Sequence, residues 1–283
     1  MHSTAQPISR DDSARCLVVQ ELDDLPRRSR RVAIGNFDGV HPGHASIIRG
    51  CDTVLTFDPH PLAVLSPAGA PPLLTPLGAK AEQLARLGVR EVVLIHFDGH
   101  VARQTAERFV QDTLLQRLGA VHVSVGDNFR YGARGAGTAE SLRAVQAFTT
   151  AVGGLVHIDG DVVSSSRIRA AVAAGDVEVA ARLLGRPHRL PCLVTGGDRP
   201  RAPHGDGGSV RVGFEARHAC PPPGTYECAV SSPGPGAGHV VTHVQVLAPS
   251  SAALGAEARI LGHAGPLRCD ELTVEFLRRA PCL

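Results

Sequence analysis

VAIGNFDGVHPGH, residues 32–44, decides how this chain is read. The apolar run 32–35 has the character of a buried strand, and a helix opens at about Pro42. Between them Gly35, Gly39 and Gly43 allow positive φ and let backbone approach a ligand closely. The free N–H groups of the helix start, with the helix dipole, favour a polyphosphate. His41 and His44 stand three apart, so on a helix they share one face and can converge on one phosphate. Two imidazoles aimed at an α-phosphate would stabilise the charge that develops as pyrophosphate leaves, by positioning and electrostatics with no covalent step. HxxH also fits half of a metal site, but no third ligand stands at useful spacing.

Working outward, four more apolar runs read as strands: 54–57, 92–97, 121–126 and 154–159. Between them lie stretches of helical period at 79–88, 106–119 and 139–148, followed by two further helices at 164–175 and 176–185. Such alternation implies right-handed βαβ crossovers: an α/β domain with a doubly wound parallel sheet, binding its ligand at the carboxyl ends of the strands. After Arg186–Pro187 the helical period stops. Pro and Gly crowd 196–238, and what remains alternates with period 2, as at Val240, Thr242, Val244 and Val246. Three segments are therefore expected: a loose tail at 1–15, an α/β domain at 16–186 and a small all-β, barrel-like or sandwich domain at 187–283.

Composition narrows the function classes. Of 283 residues 43% are hydrophobic, enough for packed cores, and the net charge of +2 with 4% aromatics gives no support to nucleic-acid binding. Arg27, Arg28, Arg30 and Arg31 read as the solvated lead-in to a strand. Seven scattered cysteines form no CxxC pair, which argues against a zinc site or a disulfide framework. No window approaches 18 consecutive apolar residues, and the first 15 residues lack the apolar centre of a secretory signal. A cytoplasmic protein without a membrane role is the expectation. Oligomeric state is not legible.

GNFDGVHPGH resembles the signature of the adenylyltransferase half of the prokaryotic bifunctional riboflavin kinase/FMN adenylyltransferase (FAD synthetase) family, within the HxGH nucleotidyltransferases. TFDPHP (56–61), VGDNFRYGARG (125–135), SSSRIR (164–169) and LLGRP (183–187) resemble further blocks of that family in the same order. The resemblance implies transfer of AMP from ATP to FMN, giving FAD and pyrophosphate, with Mg²⁺ accompanying ATP. It implies that Gly35, Asn36, Phe37, Asp38 and Gly43 line the ATP site and that His41 and His44 contact its phosphates. Ser165, Ser166 and Arg169 would hold phosphate from the start of a later helix. The same string also fits an ordinary Ser cap with a solvated Arg. Phe57, Pro59, His60, Asn128 and Phe129 would line the flavin nucleotide side, although each fits a core or turn role equally well. Two rival readings are a transferase acting on another phosphorylated small molecule and a non-catalytic flavin or nucleotide binder.

Two departures stand out. Only eight residues, 45–52, separate His44 from Thr53, so the first crossover helix should be about two turns. In the β region the family's riboflavin kinase entrance has GF followed by PTAN, whereas here Gly213–Phe214 is followed by Glu215, Ala216, Arg217 and His218. Glu257 stands where the family keeps its catalytic Glu. The expectation is a degenerate kinase domain with its activity lost or severely weakened.

Overall fold

The computed structural model describes residues 17–19, 22, 25–197, 209–232, 238–248, 254–262 and 270–281. The tail read at 1–15 lies outside these residues, as do Cys16, Cys269 and Cys282. Two compact units are woven from the chain. The first comprises residues up to Asn36, then Ala45–Gly69 and Gly78–Gly154; the second comprises Phe37–His44, Ala70–Leu77 and Leu155–Leu283.

The first unit is built on a six-stranded parallel sheet. Its strands are β1 (Leu17–Val19), β2 (Arg30–Ile34), β3 (Thr53–Asp58), β4 (Glu91–His96), β5 (Ala120–Gly126) and β8 (Thr149–Gly153), in the order β1-β4-β3-β2-β5-β8. A short hairpin, β6 (Arg130–Tyr131) with β7 (Gly137–Thr138), interrupts the run between β5 and β8. Strands proceed outward on one side of β2 and then on the other, so the topological switch lies between β2 and β5, where open α/β sheets bind ligands. The helices are α1 (Pro42–Ile48), which carries the chain from the second unit into the first, α2 (Pro61–Leu65), α3 (Leu77–Arg86), α4 (Gly99–Arg103), α5 (Ala106–Arg108) and α6 (Ala139–Arg143). α5 continues as a π-helix over Phe109–Arg117, which buries Phe109, Val110, Thr113 and Leu114 against the sheet.

Three sequence expectations are corrected. The helix read to residue 148 ends at Arg143, because the Ala144 N–H bonds both Glu140 O and Leu142 O and the chain then turns. The β-branched Thr149 and Thr150 start β8, so the last parallel strand lies about five residues before the stretch expected at 154–159. The arginine cluster is not merely solvated. Arg30 is fully buried (0% exposed), donating from Nε to Glu91 Oε2 at 2.7 Å and from Nη2 to Oε1 at 3.2 Å, while Arg28 reaches the same carboxylate at 2.9 Å.

The second unit holds β9 (His157–Ile158) and β10 (Asp161–Val162), a hairpin turning through Asp159 and Gly160 at positive φ. α7 (Ser165–Ala174) and α8 (Val177–Leu184) follow, each closed by a glycine in the left-handed conformation. The remaining strands are β11 (His188–Gly197), β12 (Val210–Glu215), β13 (Gly224–Ser231), β14 (His239–Leu247), β15 (Leu254–Ile260) and β16 (Glu271–Arg279). They close an antiparallel barrel in the order β11-β12-β15-β14-β13-β16. Its interior takes alternate residues, among them Val212, Phe214, Val244, Val246, Ala256, Ala258, Ile260 and Phe276. Val177 of α8 joins that core, and Leu183 and Leu184 pack with Leu74, Ile168 and Ala219.

Burial alone would raise the Glu91 pKa, yet the Arg30 hydrogen bonds and the charges of Arg30 and Arg28 hold its carboxyl below the ordinary value. Removing one partner of a buried pair strands the other charge. Glu91→Ala is therefore expected to destabilise the protein by about 3–5 kcal/mol, read from denaturant unfolding. A loss under ~1 kcal/mol would show that Arg30 finds solvent on its own.

Candidate active site

The turn that opens the signature departs from ordinary backbone. Phe37 (φ 46°), Gly39 (φ 92°) and Val40 (φ 40°) all lie in the left-handed region, and the Val40 N–H bonds Phe37 O at 3.3 Å. A β-branched residue there is a steric outlier, so neighbouring groups must hold it. Arg186 does so, donating from Nη1 to Val40 O at 3.0 Å and from Nη2 to Gly39 O. At Gly39 a Cβ would lie 3.1 Å from Leu74 Cδ1. Gly35 and Gly43 do not use positive φ. Gly43 is needed for space, since its Cβ would lie 3.1 Å from the His41 ring.

Asp38 sits inside this turn, 2% exposed. Its carboxylate accepts from Leu74 N (3.0 and 2.9 Å), from Thr75 N (3.0 Å) and from Arg169 Nη2 (2.6 Å). Arg169 also donates from Nε to Pro72 O at 2.7 Å, and its Nη1 has no acceptor among the described residues. The Asp38 carbonyl accepts from Ser165 Oγ at 2.8 Å.

His41 precedes α1, and its ring stacks on that of His44 with centroids 3.6 Å apart and planes 17° from parallel. Phe37 meets His44 edge-on, with ring centroids 5.3 Å apart. His41 Nδ1 accepts from His44 N at 3.3 Å, so the neutral ring carries its proton on Nε2, which stands 3.4 Å from Ser165 Oγ. Burial, together with the charges of Arg186 and Arg169, lowers the His41 pKa to about 4, against the opposing pull of Asp38. Ser164 rather than Ser165 caps α7, accepting from Arg167 N at 3.2 Å; Ser166 is exposed in the first turn.

The second unit thus brings together Phe37, Asp38, His41, Gly43, His44, Ser165 and Arg169. Others of the expected site residues belong to the first unit. The Gly35 N–H bonds Leu55 O. Asn36 Nδ2 lies 3.1 Å from His60 Nε2, and the Asn36 carbonyl accepts from Lys80 Nζ (2.9 Å) and Thr56 Oγ1 (3.2 Å). His60 caps α2 through Nδ1, preceded by a cis Asp58–Pro59 bond. Phe57 packs edge-on against Phe97, Phe129 stacks on Tyr131, and Asn128 is exposed. Glu257 is half-buried on β15, in register with Gly213 and Leu247 and out of phase with the core-facing Ala256 and Ala258. Sequence reading missed Lys80 and Arg186. Lys80 interrupts the apolar stripe of α3, and Arg186 lies in the quoted LLGRP block.

A parallel α/β sheet whose second strand leads through a glycine-bent turn into His41-Pro42-Gly43-His44 is the fold of a nucleotidyltransferase, and the two stacked imidazoles and Arg169 stand with that turn in the second unit. Residues 25–167 match the family described as FAD synthetase. The chain belongs to this family. It is 33% identical to the bifunctional riboflavin kinase/FMN adenylyltransferase of Pseudomonas fluorescens over 259 residues, covering 86% of this chain and 82% of the relative. It is 30% identical to the protein of that name from Escherichia coli K12, over 81% and 78% of the two chains. In fold it is similar to a Streptococcus pneumoniae crystal structure titled a macrolide-efflux protein, with a TM-score of 0.79 and 23% identity, covering 95% of this chain and 91% of that one. That likeness is one of fold alone. No described helix is long and apolar enough to cross a membrane.

His41, His188 and His218 are all buried, and burial pushes each pKa down, to about 4 for His41 and His188. A depressed imidazole pKa means the unfolded chain binds the proton more readily. Stability is complete above the unfolded value of about 6.5 and is lost as pH falls toward 4, by up to ~3 kcal/mol for a fully buried ring. The Glu91 pair keeps its contribution until pH falls below the ordinary Glu range, so the window from pH 6.5 to 5 reports the histidines. Unfolding midpoints should fall across that window, and His188→Gln, which can still donate to Ala219 O (2.7 Å), should flatten the fall. A flat profile in the unmutated protein would contradict the buried neutral state.

Proposed function

We propose that the protein transfers AMP from Mg–ATP to the phosphate of FMN, giving FAD and pyrophosphate. The observation that carries this reading is the stacked His41–His44 pair beside Ser165 and Arg169. An FMN phosphate oxygen attacks the α-phosphorus in line; a new P–O bond forms as the bond to the bridging αβ oxygen breaks. Pyrophosphate leaves with the electron pair. His41 donates as a neutral imidazole from Nε2, His44 donates beside it, and the Arg169 guanidinium, held by Asp38, donates a charge-assisted hydrogen bond from Nη1. Gly35, Asn36, Phe37 and Gly43 shape the ATP side, with Ser165 and Ser166 on the phosphates. Phe57, Pro59, His60, Asn128 and Phe129 take FMN, with aromatic faces and an exposed amide suited to an isoalloxazine and its polar edge. Transfer belongs to 16–186, and the setting is the cytoplasm.

The region 187–283 we read as a riboflavin-kinase-like barrel without kinase activity. Beyond the loss of PTAN, Glu215 pairs with Arg217 at 2.6 Å, and the backbone of 217–219 is occupied by Leu73. The Leu73 N–H bonds Arg217 O at 2.7 Å, and the Ala219 N–H bonds Leu73 O at 2.8 Å. That strip is spoken for by the protein itself.

Incubation with Mg–ATP and FMN, followed by separation of products, should give FAD and pyrophosphate in equal amounts. Pyrophosphate only with another acceptor, or tight binding without turnover, would overturn the reading. His44→Ala is expected to lower kcat by about 10²–10³, the range for losing one preorganised donor, and turnover within about threefold of wild type would remove His44 from the mechanism. With riboflavin in place of FMN no FMN should form; measurable phosphorylation would refute the loss of kinase activity.

A further inference from the structure

The sequence resemblance places Asp38 among the ATP ligands, but its buried carboxylate already accepts from three donors within the protein, Leu74 N, Thr75 N and Arg169 Nη2. We propose that Asp38 is instead a positioning residue, and that the barrel turn at 215–219 braces it so that Arg169 is held for phosphate. The inference rests on the transfer reading above, and all the residues it uses belong to the second unit.

Residues 72–75 alternate between two partners. Pro72 O accepts from Arg169 Nε, and Leu74 N and Thr75 N donate to Asp38. Between them Leu73 turns the other way and pairs with the barrel turn as an isolated parallel bridge to His218, through Arg217 O and Ala219 N. The Leu74 side chain, 1% exposed, packs with Ile168, Leu183, Leu184 and Ala219, so the strip cannot slide without opening an apolar cluster. Asp38 closes the circuit with the 2.6 Å bond to Arg169 Nη2. Two of the three guanidinium nitrogens are thereby fixed by backbone and carboxylate, and Nη1 alone is left to meet an anion. A guanidinium so held loses little further freedom when phosphate arrives, which is how preorganised charge does its work. The strip that replaces the kinase motif has a use: it seats the loop that seats the arginine.

The test compares Asp38→Asn and Ala219→Pro, each made with Arg169 intact and with Arg169→Ala. Asparagine keeps the shape but turns an amide donor toward donors. Proline removes the N–H that bonds Leu73 O and lies outside the barrel strands, and circular dichroism melting checks that each variant folds. Pyrophosphate affinity is measured by calorimetry, which needs no acceptor substrate, alongside kcat for FAD formation. With Arg169 present, both variants should weaken pyrophosphate binding at least tenfold and lower kcat by a similar factor, with KM for FMN changed less than threefold. With Arg169→Ala, neither should weaken pyrophosphate binding further. Free guanidinium should restore kcat to Arg169→Ala but not to the Asp38→Asn, Arg169→Ala double variant. Unchanged pyrophosphate affinity in the single variants, equal losses with and without Arg169, or no detectable pyrophosphate binding by the wild-type protein would overturn the proposal. If the wild type makes no FAD yet shows the calorimetric pattern, the acceptor reading fails and the brace stands.

Discussion

The site depends on one costly piece of backbone, the turn from Phe37 to Val40. Two non-glycine residues in left-handed conformation, one of them β-branched, cost on the order of 1–3 kcal/mol each. Against this stand the Arg186 bonds to the carbonyls of Gly39 and Val40 and the three donors, Leu74 N, Thr75 N and Arg169 Nη2, that reach the Asp38 carboxylate. Hydrogen bonds to charged groups contribute about 1.5–3 kcal/mol each, so the clamp outweighs the strain. With the turn fixed, His41 is placed at the end of the loop with its ring over His44. A Cβ at Gly43 would crowd that ring at 3.1 Å. The chemistry therefore inherits its geometry from a turn that would relax if either charged clamp were lost.

The parts of this arrangement that were legible in the sequence are those encoded by contiguous residues. Strand, bent turn and helix start are adjacent along the chain, and the period-2 alternation of 240–246 and 272–276 announces barrel strands without any long-range information. The barrel needed closure, and closure comes from β11 pairing with both β12 and β16, a fact of three-dimensional register. Asp159–Gly160 was a local signal that went unread: Asp-Gly flanked by apolar residues is a hairpin cue, and it moves the last parallel strand back to Thr149–Gly153. Arg30 differs in kind. An arginine in a basic cluster looks solvated until Glu91, 61 residues away, is brought under it by the neighbouring strands. Asp38 escaped for a similar reason, because the N–H groups that saturate it are backbone donors at 74 and 75 and carry no side-chain signature.

The barrel shows how Glu215, Ala216, Arg217 and His218 can follow Gly213–Phe214 without disturbing the fold. Its interior residues alternate without interruption through β12 and β15, so the packing that defines the fold does not pass through Glu215, Arg217 or Glu257. Changes there leave the core intact. What the turn must still do is satisfy its own backbone, and Leu73 does this by adding one parallel bridge. His218, in the middle of that bridge, is 4% exposed and neither ring nitrogen has a partner among the described residues, a desolvation cost of about 1–3 kcal/mol borne by the surrounding cluster.

The two imidazoles place a limit on how the site handles charge. Two unit positive charges at their ring separation of 3.6 Å would repel by roughly 4–5 kcal/mol at an effective dielectric of about 20. The pair cannot cheaply carry both protons, and burial beside Arg186 and Arg169 holds the His41 pKa at about 4. In the proposed transfer a triphosphate would meet, on this side, a dipolar N–H from His41. Dipoles fixed before the ligand arrives need no reorganisation and do not over-stabilise the ground-state anion in the way a dense cluster of full charges would. Arg169 adds a delocalised guanidinium charge that Asp38 already partners, with Nε and Nη2 committed to Pro72 O and Asp38, so in the proposed transfer its part would rest on where Nη1 points.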